Sequence, residues 1–109
     1  MIQVTVYRKN NFMTAFELSG HAESGPYGFD LVCAAVSAVS FGAVNAVLEL
    51  CDIDLEIEQG TEGGYLYVSL PSSLASDVMG KVQLLFEGML ISLKTIEQEY
   101  SQFIHITSK

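Results

Sequence analysis

The chain has 109 residues, of which 50% are hydrophobic and 17% charged, and its formal net charge is -8. This length and composition fit one folded domain over residues 1–109 and exclude a disordered chain. The negative charge argues against direct nucleic-acid binding, which needs a basic surface, and suits a basic protein or peptide partner.

Two strands and a glycine-containing loop are predicted in the N-terminal part of the chain. Apolar residues alternate with polar ones from Ile2 to Val6, and Asn10-Asn11 marks a turn. A second strand follows and ends at Gly20-His21. The apolar face predicted for it holds Phe12, Thr14, Phe16 and Leu18.

A long apolar helix is predicted from about Asp30 to about Cys51. Asp30 is a residue type that often caps a helix N-terminus. Because the residues are small or apolar until Glu49, we expect this helix to be buried on most sides. At 1.5 Å per residue its two cysteines would lie about 27 Å apart, too far for a disulfide. Its apolar positions recur at helical spacing at Val32, Val36, Val39, Ala43, Val47 and Leu50.

The C-terminal half is predicted to contain a hairpin, a second helix and a closing strand. Apolar and polar residues alternate over 53–58 and 66–70, which predicts two strands joined by a glycine turn. A helix is predicted to start near Pro71-Ser72-Ser73, and a last strand is predicted at Phe103–Thr107. The order ββαββαβ predicts an α+β, two-layer domain, with a mainly antiparallel sheet and two helices on one face.

Neither a secretory leader nor a membrane span is expected. Met1 leads into strand-like residues rather than a basic and then apolar run, and we expect no apolar run to approach the roughly 20 residues of a span. We therefore expect a cytoplasmic protein that does not contact a membrane and whose cysteines stay reduced.

Cys33 is the strongest candidate for chemistry. It lies in the first turn of the predicted helix, where the helix dipole favours a thiolate, and His21 at the end of a strand can act as its base. Asp30 can orient His21, and Ser37 lies one turn beyond Cys33 on the same helix face. From the residues alone, a small buried cysteine remains an equal alternative.

Three other features are assigned more ordinary roles. Metal binding by His21, Asp30 and Cys33 is disfavoured, because the spacing matches no common zinc motif. Cys51 is expected to be a core or helix-end residue. His105 is expected to be exposed on the last strand.

Five stretches, which together cover nearly the whole chain, match a known family. They are GHA at Gly20–Ala22, YGFDLVCAAVSAV at Tyr27–Val39, FGAVNA at Phe41–Ala46, GG at Gly63–Gly64 and MLISLKTIEQEY at Met89–Tyr100. On these stretches the chain resembles the bacterial ribosomal-processing cysteine proteases, the Prp family.

The resemblance implies a homodimeric protease without a cofactor, in which Cys33 is the nucleophile, His21 the base, and Asp30 and Ser37 support them. It also implies the reaction: removal of a short N-terminal extension from a large-subunit ribosomal protein precursor, after an aromatic residue, in support of ribosome assembly. The implied cover over the bound peptide is the loop of Ala22, Glu23, Ser24, Gly25, Pro26, Tyr27, Gly28 and Phe29.

Two alternatives to this function stay open. A non-enzymatic, ribosome-associated assembly protein would use its apolar surface for binding and tolerate loss of the Cys33 thiol. A thiol-redox sensor is less favoured, because no resolving cysteine lies within reach of Cys33. The wide apolar stripe of the second helix also predicts the homodimer. It consists of Leu74, Val78, Val82, Leu85, Met89, Leu93, Ile96 and Tyr100, widened by Phe86 and Leu90. Gly80 and Gly88 either permit close packing of this helix or are tolerated surface glycines that cost about 1 kcal/mol each.

Overall fold

A computed structural model describes residues 1–21, 30–61 and 64–109 of the chain. Within these ranges the elements follow the predicted order ββαββαβ. They are β1 (Ile2–Lys9), β2 (Phe12–Ser19), α1 (Asp30–Leu50), β3 (Glu56–Gln59), β4 (Tyr65–Ser69), α2 (Ser76–Glu99) and β5 (Ile104–Ser108).

The strands of the described residues form one sheet in the order β3-β4-β2-β1-β5. The pairs β3–β4, β4–β2 and β2–β1 are antiparallel, and β1–β5 is parallel. The parallel pair requires the chain to cross the sheet between β4 and β5, and α2 provides this crossover. The prediction of a mainly antiparallel sheet is confirmed.

One face of the sheet carries the core. Alternate residues of the strands, such as Val4, Phe16 and Val68, are buried, and they form a single cluster with the inner residues of both helices. The rings of Phe16 and Phe86 of α2 meet edge to face with their centroids 5.3 Å apart. The predicted two-layer α+β fold, with both helices on one face, is confirmed.

A β-bulge at Thr14 overturns the face predicted for the start of β2. The pairing with β1 skips one residue there, so that Tyr7 pairs with Ala15 and Arg8 pairs with Met13. The extra residue reverses the alternation, and Met13 is buried while Phe12 is 47% exposed. The prediction that Phe12 and Thr14 share the face of Phe16 and Leu18 is therefore wrong.

The first helix is less buried than its composition predicted. Its inner side, which includes Val32, Val36 and Val47, packs into the core, but Leu31 is 71% and Leu50 is 74% exposed. A helix that covers a sheet presents only one stripe to it, so the small apolar residues elsewhere on α1 face outward within a single chain.

Residues Leu31–Leu50 are also long and apolar enough to cross a membrane, by length and composition only. The expectation that no apolar run reaches this length is therefore wrong. One side of this helix nevertheless packs into the core, as the core helix of a two-layer domain does. A single helix of this length and composition is weak evidence for a membrane span.

Element boundaries in the C-terminal half differ from the predicted ones. The third strand begins at Glu56 rather than Ile53, and β4 covers Tyr65–Ser69 rather than 66–70. The helix α2 begins at Ser76 rather than near Pro71, and β5 covers Ile104–Ser108 rather than Phe103–Thr107. Leu55 still packs against the core without entering the ladder. Side-chain alternation thus continues beyond the residues that make strand hydrogen bonds.

Candidate active site

His21 directly follows the point where β2 leaves the sheet. The preceding residue, Gly20, has φ +92, and its N–H donates to the Gly64 carbonyl at 2.8 Å. A Cβ on Gly20 would lie 2.3 Å from the backbone oxygen of Met1, so a glycine is needed on grounds of both space and backbone angle. This turn delivers an exposed His21 to one end of the sheet.

Cys33 is the fourth residue of α1 and is half-buried against the core. The first-turn N–H groups of a helix have no intrahelical partners, and the helix dipole places partial positive charge there. A developing anion at or beside the thiol therefore lies where the backbone can stabilise it.

A cleft of about 310 Å³ brings the predicted residues together. His21 lines it from the end of β2, and Cys33 and Ser37 line it from successive turns of α1. Its apolar walls include Ile2, Leu18, Val36, Phe41 and Leu66. The cleft thus combines a candidate base and nucleophile with an apolar surface for a substrate side chain.

Sequence reasoning missed several residues of this cleft. Ser40 lies seven residues beyond Cys33 on the same helix face, so helical spacing alone indicates it. It is 1% exposed, and its hydroxyl donates to the Val36 carbonyl at 2.6 Å. Its donor is therefore committed to the helix, which assigns Ser40 a structural role in the wall.

Tyr65 was also missed, and it lies at the rim beside Gly64. Its hydroxyl donates to the Glu17 carboxylate at 2.7 Å. This bond, with smaller effects that include the charge of Glu58, raises the pKa of Tyr65 to about 12. Tyr65 is therefore a hydrogen-bonding neutral phenol at neutral pH, and its position depends on the pairing of β4 with β2, which local sequence does not show.

Some predicted residues lie outside the part of the chain that the structure describes. These are the loop residues 22–29, Gly63 and the side chain of Asp30. The helix begins at Asp30, as predicted. The roles of Asp30 as a cap and as a partner of His21 stay predictions.

The remaining predicted residues are placed as follows. Cys51 follows the last residue of α1 and packs half-buried against the core, and His105 is exposed on β5, as expected. The Cys51 N–H donates to the Val47 carbonyl at 3.0 Å, which extends the helix by one bond. In residues 1–21, 30–61 and 64–109, no group of three His, Cys, Asp or Glu residues is arranged to hold a metal ion.

Comparisons with known proteins agree on one family. The family model described as cysteine protease Prp matches residues 1–105. The ribosomal processing cysteine protease Prp of Bacillus subtilis is 45% identical over 109 residues, which are 99% of this chain and 97% of that protein. The Staphylococcus aureus protein of the same name is 38% identical over 92 residues, 84% of this chain and 83% of that protein.

Solved structures of the Staphylococcus aureus protein resemble this chain throughout. The crystal structure of an essential ribosomal processing protease Prp with a covalently linked product peptide matches with a TM-score of 0.89 at 35% identity. The complex with a substrate peptide matches with a TM-score of 0.84 at 34% identity. Both matches cover 100% of each chain.

Proposed function

The chain belongs to the Prp family of cysteine proteases, and on that premise we propose that it is an endopeptidase that removes the N-terminal extension of a large-subunit ribosomal protein precursor. The relatives named above are ribosomal processing proteases, and one is bound covalently to a product peptide. Nucleophilic catalysis by a cysteine passes through a covalent bond between enzyme and peptide. The observation that carries the proposal is the cleft that His21 and Cys33 share.

The proposed reaction begins when the His21 imidazole takes the thiol proton of Cys33. The thiolate attacks the scissile carbonyl carbon, and N–H groups of the first turn of α1 stabilise the oxyanion. The C–N bond then breaks, and the imidazolium gives its proton to the leaving amine. Water, deprotonated by His21, hydrolyses the thioester and releases the N-terminal product and the thiol.

The supporting roles follow the family resemblance. Asp30 orients His21, Ser37 donates a hydrogen bond beside the thiolate, and the loop 22–29 covers the bound peptide. A basic ribosomal substrate suits the net charge of -8, which also disfavours direct contact with nucleic acid. We place the reaction in the cytoplasm, where a ribosomal precursor is made.

Incubation with a peptide that spans the extension junction tests this function. Mass spectrometry should show one cleavage by the wild type, and a loss of at least about 10³-fold in kcat/KM for Cys33→Ala and for His21→Ala. Cys51→Ala is the matched control and should cleave normally. Undiminished cleavage by Cys33→Ala refutes the mechanism, and no cleavage by a folded wild type favours the binding alternative.

The apolar stripe from which the homodimer was predicted, with Val82, Met89 and Leu93, is buried within the single chain. We propose instead a homodimer through the outer face of α2. Leu84 is 75% and Ile91 is 66% exposed there, and a Cβ on Gly88 between them would meet nothing within 4 Å. An apolar stripe with a small residue at its centre lets two helices approach closely. Because a Cβ on Gly88 would have open space around it, the fold of a single chain does not require a glycine there.

Light scattering tests the homodimer. The wild type should give twice the mass of one chain at micromolar concentration, and the double variant Leu84→Glu/Ile91→Glu should give the mass of one. The exposed residue Gln3 of β1 lies away from this helix and supplies the control Gln3→Glu, which should stay dimeric. A monomeric wild type overturns the dimer.

A further inference from the structure

The ring of His21 lies directly against the backbone of Gly64. A Cβ built on Gly64 would lie 2.6 Å from Nε2 of the ring, 2.9 Å from Cε1 and 3.3 Å from Cδ2. Real Cβ atoms do not approach other atoms closer than about 3.0 Å, so no other L-residue fits at this position without movement. The contact involves the imidazole edge that carries Nε2.

Gly64 is held in this position by the sheet. It directly precedes β4, whose first residue, Tyr65, pairs with Ser19 of β2. The bond from Gly20 N–H to the Gly64 carbonyl, at 2.8 Å, extends this pairing by one step. His21 therefore leaves β2 beside the residue that its own ring contacts, and the extended pairing fixes the backbone of Gly64 next to it.

The backbone of Gly64 adds a second requirement. Its φ is +75, in the left-handed region that favours glycine. Gly20 shares this property, but the group that excludes a side chain there is the Met1 backbone and not a reactive side chain. By contrast, a Cβ on Gly42 of α1 would meet nothing within 4 Å.

We infer that Gly64 is a positioning residue for His21. Its side-chain-free backbone is the surface on which the imidazole rests, and it sets where Nε2 lies in the cleft that His21 shares with Cys33. The inference rests on the proposed role of His21 as the base. It assigns a function to the residue that precedes β4, next to Tyr65 and Leu66, which also line the cleft.

Kinetics with the junction peptide test the inference first. A displacement of about 1 Å at a catalytic group lowers rates on the order of 100-fold, so Gly64→Ala should lose about that factor in kcat with little change in KM. Gly64→Asn should be equally defective, because asparagine tolerates the left-handed backbone but also carries a Cβ. Gly42→Ala is the control and should retain wild-type kcat.

These variants separate the inference from the function on which it rests. If Gly64→Asn recovers wild-type kcat, the constraint is the backbone angle, and the inference is overturned. If Gly64→Ala is fully active while His21→Ala is inactive, the inference fails and the proposed base survives. If His21→Ala is itself active, the proposed base is the part that fails.

The ring can also be observed directly by NMR, because the chain has two histidines. In 13C-edited spectra the His21 Cε1–H signal should move in Gly64→Ala. The His105 signal should stay, because β5 is separated from β4 by two intervening strands. The variant His105→Gln assigns the two signals. An unmoved His21 signal counts against the inference.

A thermal double-mutant cycle covers the case in which Gly64→Ala folds poorly. If the methyl group collides with the ring, Gly64→Ala should lower Tm less in a His21→Ala background than in the wild type. An equal loss in both backgrounds shows that the ring is not what excludes the side chain, and this overturns the inference.

Discussion

The side chain of Gln83 is expected to hold the bulged start of β2, and its removal should destabilise the whole domain. Its Oε1 accepts from the Met13 N–H and its Nε2 donates to the Met13 carbonyl, both at 2.8 Å. Gln83 thereby pairs with Met13 as a neighbouring strand would, at a point that β4 does not reach, since the β2–β4 pairing begins at Ala15.

The magnitude follows from what Gln83→Leu leaves behind. Leucine fills a similar volume but cannot hydrogen-bond to the N–H and carbonyl of Met13. Met13 is 0% exposed. Each buried backbone group left unpaired costs about 1–3 kcal/mol, and for the two groups we expect a loss of about 3 kcal/mol in the free energy of unfolding. For a domain of this size that lowers Tm by roughly 12 °C.

Urea denaturation and hydrogen exchange measure this effect. The urea midpoint should fall without a change in the m-value, and the Met13 amide should exchange faster in Gln83→Leu. The control is Gln3→Leu at an exposed position of β1, which makes the same substitution away from the bulge and from α2. A loss below about 1 kcal/mol, or an equal loss in the control, refutes the reasoning, since each unpaired group alone should cost that much.

Three further predictions concern charged and strained groups. The Arg8 guanidinium lowers the pKa of Glu87 from 4.5, so their bidentate pair stabilises the fold above that pH and stabilises it less as the pH falls through the folded-state pKa. Because the pair is about one-third exposed, Glu87→Gln should lower the free energy of unfolding by about 0.5–1 kcal/mol in urea denaturation at pH 7. The difference from the wild type should become smaller in acid. Glu17→Gln should lower the pKa of Tyr65 from about 12 toward 10, as ultraviolet difference titration would show, and an unchanged value contradicts the assigned cause. Asp52 lies just beyond the C-terminus of α1 with φ +52. Asp52→Gly should raise the free energy of unfolding by about 1 kcal/mol, seen as a higher Tm, because it removes both the backbone strain and an unfavourable contact with the helix dipole. Asp52→Asn removes only the charge and should raise it less.

Local patterns predicted the elements because each depends on neighbours in sequence. The alternation of apolar residues from Ile2 to Val6 predicts a strand with one buried side, and the helical spacing of apolar residues in α2 predicts a helix with one buried side. The structure confirms both predictions. The prediction that Phe12 faces the core was wrong because a bulge inserts one residue without changing the local composition. Gln83, which is 70 positions from Met13 in sequence, helps to hold this bulge. Distant partners of this kind leave no local pattern.

The same distinction applies to the site. Cys33 and His21 were predictable because each lies where an element starts or ends, and both line the cleft. Gly64 and Tyr65 approach the site only because β4 pairs with β2, which no local pattern of residues reports. The exposed side of α1, with Leu31, was mispredicted because composition alone does not say how many sides of a helix are covered.

The parallel pairing of β1 with β5 decides where a tag can be attached. Met1 lies against Gly20 and Ile2 lines the cleft, so a group added before Met1 emerges beside the substrate. Lys109 bonds to Val6 and Arg8 at the other end of β1, about 20 Å away at 3.3 Å per residue. A purification tag is therefore best placed after Lys109, and a fluorophore on the N-terminus should report peptide binding.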